Sequence, residues 1–97
     1  MSNITYLFVA YKNADFVLHT IDKLGNQGVK FYVHVDANSC ENFNCLENNP
    51  NVRLATERYS CEWGKGGIVY AIISSIKAIL NTWETDYIIL MSEPTIL

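Results

Sequence analysis

Apolar stretches of strand length recur along the chain, and each is bounded by polar or glycine-containing segments. Continuous runs occupy Ile4–Ala10 (ITYLFVA), Val29–Val35 (VKFYVHV) and residues 86–91 (DYIILM), and a shorter run occupies residues 52–55 (VRLA). Runs rich in β-branched and aromatic residues are typical of strands in a sheet that is covered on both faces. The pattern therefore predicts four strands.

Two of the intervening segments have helical periodicity. In the first, apolar residues recur between positions 16 and 24, Asn13 is placed to cap the helix, and Gly25 is placed to end it. In the second, an apolar stripe between positions 68 and 80 predicts a helix of about four turns that stops near Asn81. The stripe contains Ile68, Ala71, Ile72, Ile76, Ala78, Ile79 and Leu80. The Asn-rich segment before the third strand predicts a loop with a short helical turn.

Strands that alternate with helices form βαβ units, which favour a parallel sheet with right-handed crossovers. We therefore predict an α/β, Rossmann-like fold with a mostly parallel sheet and flanking helices. Ligands in such folds bind beyond the carboxyl ends of the strands. Residues 10–12, 36–39, 61–67 and 92–95 are expected at that edge.

Composition narrows the class of protein. The chain of 97 residues has room for one domain, and its 49% apolar and 18% charged residues are typical of a globular protein. A net charge of -3 with scattered basic residues argues against a nucleic-acid partner. The amino terminus has no basic region before its apolar run and no cleavage site after it, so we expect a cytoplasmic protein.

Metal and thiol chemistry receive little support. Cys40, Cys45 and Cys61 contain no CxxC pair, and we favour free thiols over a zinc site that includes His34. His34 and Asp36 share one face of a strand, but VDAN supplies no second carboxylate. A buried or hydrogen-bonded histidine is the interpretation we favour.

Three further features allow two interpretations each. The carboxylate of Asp36 could accept from ribose hydroxyls or form an Asx-turn. Residues 64–67 (GKGG) could hold an anion or permit tight turning, and we favour the second because neither a Walker loop nor GxGxxG is present. Tyr59, Trp63 and Tyr70 could stack on a base or sugar, but we favour packing around the long helix.

The order of the motifs resembles a known family. The segments YLFVAYKN, FYVHVDANS, NVRLATERYSCEWGKGG and DYIILMSEPTIL are similar to the amino-terminal half of the core-2/I-branching β-1,6-N-acetylglucosaminyltransferases (glycosyltransferase family 14), particularly bacterial ones. In that family the corresponding strands read (Y/I)xH(I/V)D and LSGxDxP, with xWG before a helix. The resemblance covers residues 4–97, although the last motif here reads SEPTIL.

The resemblance implies a GT-A-type, metal-independent, inverting transferase. Such an enzyme transfers GlcNAc or a similar sugar from a UDP-sugar to a glycan hydroxyl, for example in polysaccharide biosynthesis. By position it implies that Val9, Ala10 and Tyr11 border the uracil, Asp36 contacts the uridine, Trp63 and Gly64 shape the adjacent pocket, and Ser92 opens the loop near the donor sugar.

The resemblance implies no catalytic residue within this chain, because the family's catalytic base and diphosphate-binding residues come later. We expect residues 1–97 to be a single truncated domain that binds a sugar nucleotide and is inactive alone. Any membrane association would come through other parts. The alternative is a non-catalytic α/β binding module. In either case we expect self-association through the strand at 86–91, whose outer side would be uncovered.

Overall fold

The computed structural model describes residues 3–11, 14–40, 42–60 and 66–92. In chain order, its elements are β1 (Ile4–Ala10), α1 (Ala14–Leu24), β2 (Val29–Val35), a 3₁₀ helix (Asn44–Asn48), β3 (Val52–Leu54), α2 (Gly67–Thr82) and β4 (Tyr87–Ser92). The four predicted strands and two predicted helices are confirmed, as is the short helical turn. The proposed cap Asn13 lies outside the described residues.

Three predicted elements have different bounds in the structure, and one of them is β4, which runs over Tyr87–Ser92 and not over residues 86–91. β3 ends at Leu54, one residue earlier than expected. α2 continues through Asn81 and ends at Thr82, where the extended backbone of Trp83 (φ −153°, ψ 165°) stops the helix. The Trp83 N–H still donates to the Ile79 carbonyl at 3.1 Å, which satisfies one of the last helical acceptors.

The sheet has the strand order β3-β2-β1-β4, and each of its three strand pairs is parallel. The order starts at β1, runs outward through β2 to β3, and then reverses to place β4 on the other side of β1. This reversal is the topological switch point of a Rossmann-like fold, where the crevice for a ligand opens at the carboxyl ends of the strands. The predicted α/β, Rossmann-like class is confirmed.

One face of the sheet packs against α1 and the 3₁₀ helix. Phe31 on β2 stacks between Tyr6 and Phe8 of β1, at ring-centroid distances of 5.6 and 6.4 Å. Val17 and Ile21 of α1 are buried in the same cluster. Val17 and Ile21 of the predicted apolar face are four residues apart and so lie on the covered side of α1, whereas Phe16 is 37% exposed.

The opposite face packs against α2, whose buried residues are Ala71, Ser75 and Ile79. Ile79 contacts the cluster that contains Leu7 and Tyr32 of the sheet. The predicted stripe was too wide: Ile68 and Leu80 are 44% and 61% exposed. Ile68 lies in the first turn, and Leu80 follows Ile79 and so points about 100° away from it around the helix.

The described residues include two α-helices and one 3₁₀ helix. None of the helices there is long and apolar enough to cross a bilayer.

Candidate functional site

The carboxyl ends of β1, β2 and β4 meet at one edge of the sheet. Val9 is in register with His34 on β2 and with Ser92 on β4. One residue further on, the Asp36 N–H donates to the Ala10 carbonyl at 2.8 Å. The structure therefore brings together the backbones of five predicted site residues, namely Val9, Ala10, Tyr11, Asp36 and Ser92. Trp63 and Gly64 lie outside the described residues.

Asp36 begins a tight turn directly after β2. Its Oδ1 accepts the Asn38 N–H at 2.7 Å, and its carbonyl accepts the Ser39 N–H at 2.9 Å. This is the Asx-turn that the sequence allowed. Asp36 is 7% exposed, and its carboxylate has about four lone-pair positions, of which the turn uses one.

The turn is also bonded to the end of β1. The Ser39 hydroxyl donates to the Tyr11 carbonyl in a short hydrogen bond. Tyr11 follows the end of β1 and is 48% exposed, so its side chain lies outside the core. The ends of β1 and β2 are thereby held to each other.

Arg58 is a site residue that sequence reasoning missed. Its Nε donates to the Val35 carbonyl at 3.0 Å, and its Nη2 donates to the carbonyls of Asp36 and Ser39 at 2.6 and 3.1 Å. A single arginine in a polar loop has no spacing or periodicity that would reveal three backbone partners. Only the fold brings those carbonyls within reach.

His34 is fully buried, as we favoured from the sequence. Its Nε2 accepts the Tyr59 N–H at 3.0 Å, and its ring stacks on Tyr59 at a centroid distance of 6.0 Å. Burial lowers the pKa of His34 below 6.5; the nearby Asp36 opposes this shift and Arg58 adds to it. The imidazole is therefore neutral near pH 7, and its proton lies on Nδ1 because Nε2 is the acceptor.

A metal centre does not emerge from these side chains. Within the described ranges, no group of three or more His, Cys, Asp or Glu residues could hold a metal ion. Cys40 and Cys45 are free thiols, as expected, and both are exposed. Cys61 lies outside the described residues.

Two of the three candidate stacking residues line a common cleft. Tyr59 and Tyr70 face a space of about 240 Å³, whose other walls are Ile73, Ser74 and Lys77. Tyr70 is 65% exposed, so it belongs to the rim, and not to the core, of the packing that we favoured around the long helix. It stands on the outer side of α2, whereas Tyr59 does pack, against His34.

The GKGG segment is described only from Gly66 onward. Gly66 precedes α2 with φ 73° and ψ −3°, a left-handed conformation that side chains other than glycine rarely adopt. Its carbonyl accepts the N–H groups of Val69 and Tyr70 at 3.1 and 3.2 Å. The favoured interpretation, a tight turn into the helix, explains Gly66.

Comparison with known proteins gives one informative likeness. No protein-family model matches the chain. The chain is 29% identical over 68 residues to the protein named xylosyltransferase oxt from Drosophila pseudoobscura pseudoobscura. The similarity covers 65% of this chain and 8% of that protein. The likeness is to a glycosyltransferase in general, and the narrower expectation of a bacterial family 14 protein stays a prediction.

Proposed function

We propose that this chain is the sugar-nucleotide-binding part of an inverting glycosyltransferase. The enzyme would transfer GlcNAc or a similar sugar from a UDP-sugar to a glycan hydroxyl. The observation that carries the proposal is the position of Asp36, at the carboxyl end of β2 and beside the switch point between β1 and β4. The likeness to a protein named a xylosyltransferase supports the same class of reaction.

The proposed contacts are those that the family resemblance implies, and the fold gives the positions of the residues at this edge. The Asp36 carboxylate accepts from the ribose hydroxyls, as acidic residues do at this position in nucleotide-binding folds. Val9, Ala10 and Tyr11 border the uracil, and the exposed ring of Tyr11 offers it a flat surface. Ser92 ends β4 on the other side of the switch point, and we assign it to the donor sugar.

The phosphates receive no assigned contact among the described residues. Arg58 places a guanidinium at this edge, and that group donates hydrogen bonds to three backbone carbonyls. We propose binding that requires no metal. Added EDTA should then leave the affinity for UDP unchanged, and a strict requirement for Mn²⁺ or Mg²⁺ would contradict this part of the proposal.

Binding is best measured in a variant with one tryptophan. Trp83 lies at the amino end of the sheet, where its indole N–H donates to the Thr5 hydroxyl at 2.8 Å. Of the two tryptophans, a Trp83→Phe variant would keep Trp63 as the reporter. UDP should change its fluorescence, and calorimetry should give a dissociation constant in the same range.

Asp36→Asn is the decisive variant for this site. It removes a hydrogen bond to a charged group, so UDP should bind about tenfold to a hundredfold more weakly. Asp22→Asn, on the exposed side of α1, removes the same charge and should leave the affinity unchanged. Equal affinities for all three proteins would refute the assignment of Asp36.

We further propose that the 97-residue chain binds UDP without transferring sugar, since no catalytic residue is assigned to it. Turnover of UDP-GlcNAc with any sugar acceptor would disprove this. The second candidate function is a non-catalytic interaction module that retains the fold. Large exposed apolar residues favour it, among them Val69, Tyr87 and Leu90, which are 53%, 60% and 52% exposed. The absence of any response to millimolar UDP would favour this candidate.

A further inference from the structure

The Asx-turn at residues 36–39 is held along its length by one other segment, residues 58–60. Arg58 bonds the carbonyls at both ends of the turn, those of Asp36 and Ser39. Between them, the Ala37 N–H donates to the Tyr59 carbonyl at 3.1 Å. The Asn38 side-chain amide donates to the Ser60 hydroxyl at 2.7 Å. Each residue of the turn therefore has a hydrogen bond to residues 58–60.

The 58–60 segment is itself attached to the core. The Tyr59 N–H donates to Nε2 of His34, which is fully buried on β2. The Tyr59 ring stacks on the His34 ring, and its hydroxyl donates to the Glu57 carboxylate at 3.0 Å. Because β2 also carries Asp36 at its end, the strand, the turn and the segment form a closed set of contacts.

Arg58 makes the largest share of these bonds, and its geometry suits the task. A guanidinium has five N–H donors in a rigid planar fork, and here the fork spans three carbonyls. A lysine ammonium is a compact charge on a flexible stem and lacks that fixed spread of donors. Arg58 therefore shapes the backbone that carries the Asp36 carboxylate.

We propose that Arg58 is a positioning residue of the nucleotide site, which fixes the 36–39 turn so that the Asp36 carboxylate is presented to the ribose. This inference rests on the proposed function. Arg58 acts through Asp36 and does not contact the phosphates. Its removal should therefore abolish the benefit of the Asp36 carboxylate, whereas a purely structural residue would weaken binding independently of it.

A double-mutant cycle tests this coupling directly. UDP affinity is measured by calorimetry for the wild type, Asp36→Asn, Arg58→Gln and the double variant. Arg58→Gln should weaken binding by roughly tenfold, and adding Asp36→Asn to it should cost less than about twofold more. If the two changes multiply as independent effects, Arg58 does not act through Asp36 and the inference fails.

Two single variants separate positioning from charge. Arg58→Lys keeps the positive charge and loses the fork, so it should bind UDP about as weakly as Arg58→Gln. Restored affinity in Arg58→Lys would mean that the residue attracts the diphosphate as a charge, and would overturn the positioning role. Arg53→Gln removes the same charge from the exposed side of β3 and should bind normally.

The failure of the inference is distinguishable from the failure of the proposed function. A wild-type chain that does not bind UDP refutes the function, and with it any positioning role for Arg58. A wild-type chain that binds UDP, with additive variants, refutes the inference alone. Arg58 is exposed and outside both core clusters, so we expect its variants to fold. Circular dichroism checks this, and Arg58→Lys replaces Arg58→Gln in the cycle if the latter unfolds.

Discussion

The two edge strands of the sheet differ in length and in charge. On one side, β3 is an edge strand of three residues with an exposed arginine, Arg53, at its centre. Further along the chain, residues 58–60 form hydrogen bonds with the carboxyl end of β2. On the other side, β4 is an edge strand of six residues (YIILMS) without a charged side chain. Short or charged edges resist pairing with other strands, whereas long apolar edges invite it.

Two leucines make this contrast measurable. Leu7 on β1 and Leu90 on β4 are register partners, and side chains in register on parallel strands lie on the same face. Leu7 is 0% exposed and Leu90 is 52% exposed. The difference arises because α2 lies over β1 and β2. Three large apolar side chains of β4 are exposed and together form the β4 flank: Leu90 on the α2 face of the sheet, and Tyr87 and Ile89 on the opposite face.

The largest expected effect is on stability. Leu7→Ala should lower the free energy of unfolding by about 2–5 kcal/mol, because it removes buried methyl groups and leaves a cavity. Leu90→Ala should change it by less than about 0.5 kcal/mol, as exposed substitutions do. Urea denaturation at low protein concentration measures both. A comparable loss for Leu90→Ala would mean that the β4 flank is covered in solution.

The next effect concerns self-association, which we propose occurs through the β4 flank. Leu90→Lys places a charge on the apolar edge and should weaken association of the chain at least tenfold, or by about 1.4 kcal/mol. Sedimentation velocity over a range of concentrations measures this. Leu80→Lys, at another exposed leucine on α2, is the matched control and should associate like the wild type. A monomer at every concentration would contradict the proposal.

A smaller effect is expected on the pH dependence of stability, through His34 on β2. Because burial holds the pKa of His34 below 6.5, the unfolded chain takes up a proton as pH falls below that value while the folded chain does not. Stability should therefore be flat above about pH 6.5 and decline below it, by at most about 1.4 kcal/mol per pH unit for one proton.

His34→Gln identifies the source of this decline. Glutamine can keep an acceptor for the Tyr59 N–H but does not titrate, so the pH dependence from this site should disappear. His19→Gln, on the exposed side of α1, should retain the full decline. An unchanged profile in His34→Gln would contradict the account of the buried histidine.

The sequence predicted β1 and β2 to the residue because both are apolar runs that end where polar turn residues begin. The sequence could not show that α2 covers β1 while much of β4 stays exposed, because both runs are equally apolar. Only the position of α2 in the fold distinguishes the two strands. The sequence also could not place Ser75, a polar residue that is 1% exposed in the sheet-facing row of α2. A pattern of apolar residues does not identify a buried polar residue.

The candidate site likewise has one part that the sequence predicted and one part that it did not. Asp36 was identified because a carboxylate after a buried strand is visible in the sequence. Of its two possible uses, the Asx-turn is present, with the Asn38 N–H on its Oδ1, and the ribose contact stays a proposal. Arg58 and the contacts of residues 58–60 with the turn were missed because most of their partners are backbone groups brought close by folding. Side chain–backbone bonds of this kind leave no pattern of residue types.

The central claim is that the polar edge of this sheet binds a sugar nucleotide, and amide chemical shifts test it most directly. On titration with UDP, we predict shifts at Ala10, Tyr11 and residues 36–39, where the strands end. Amides at the opposite edge, residues 83–86, should not move. Shifts confined to residues 83–86 or to the β4 flank, or no shifts at millimolar UDP, would contradict the claim.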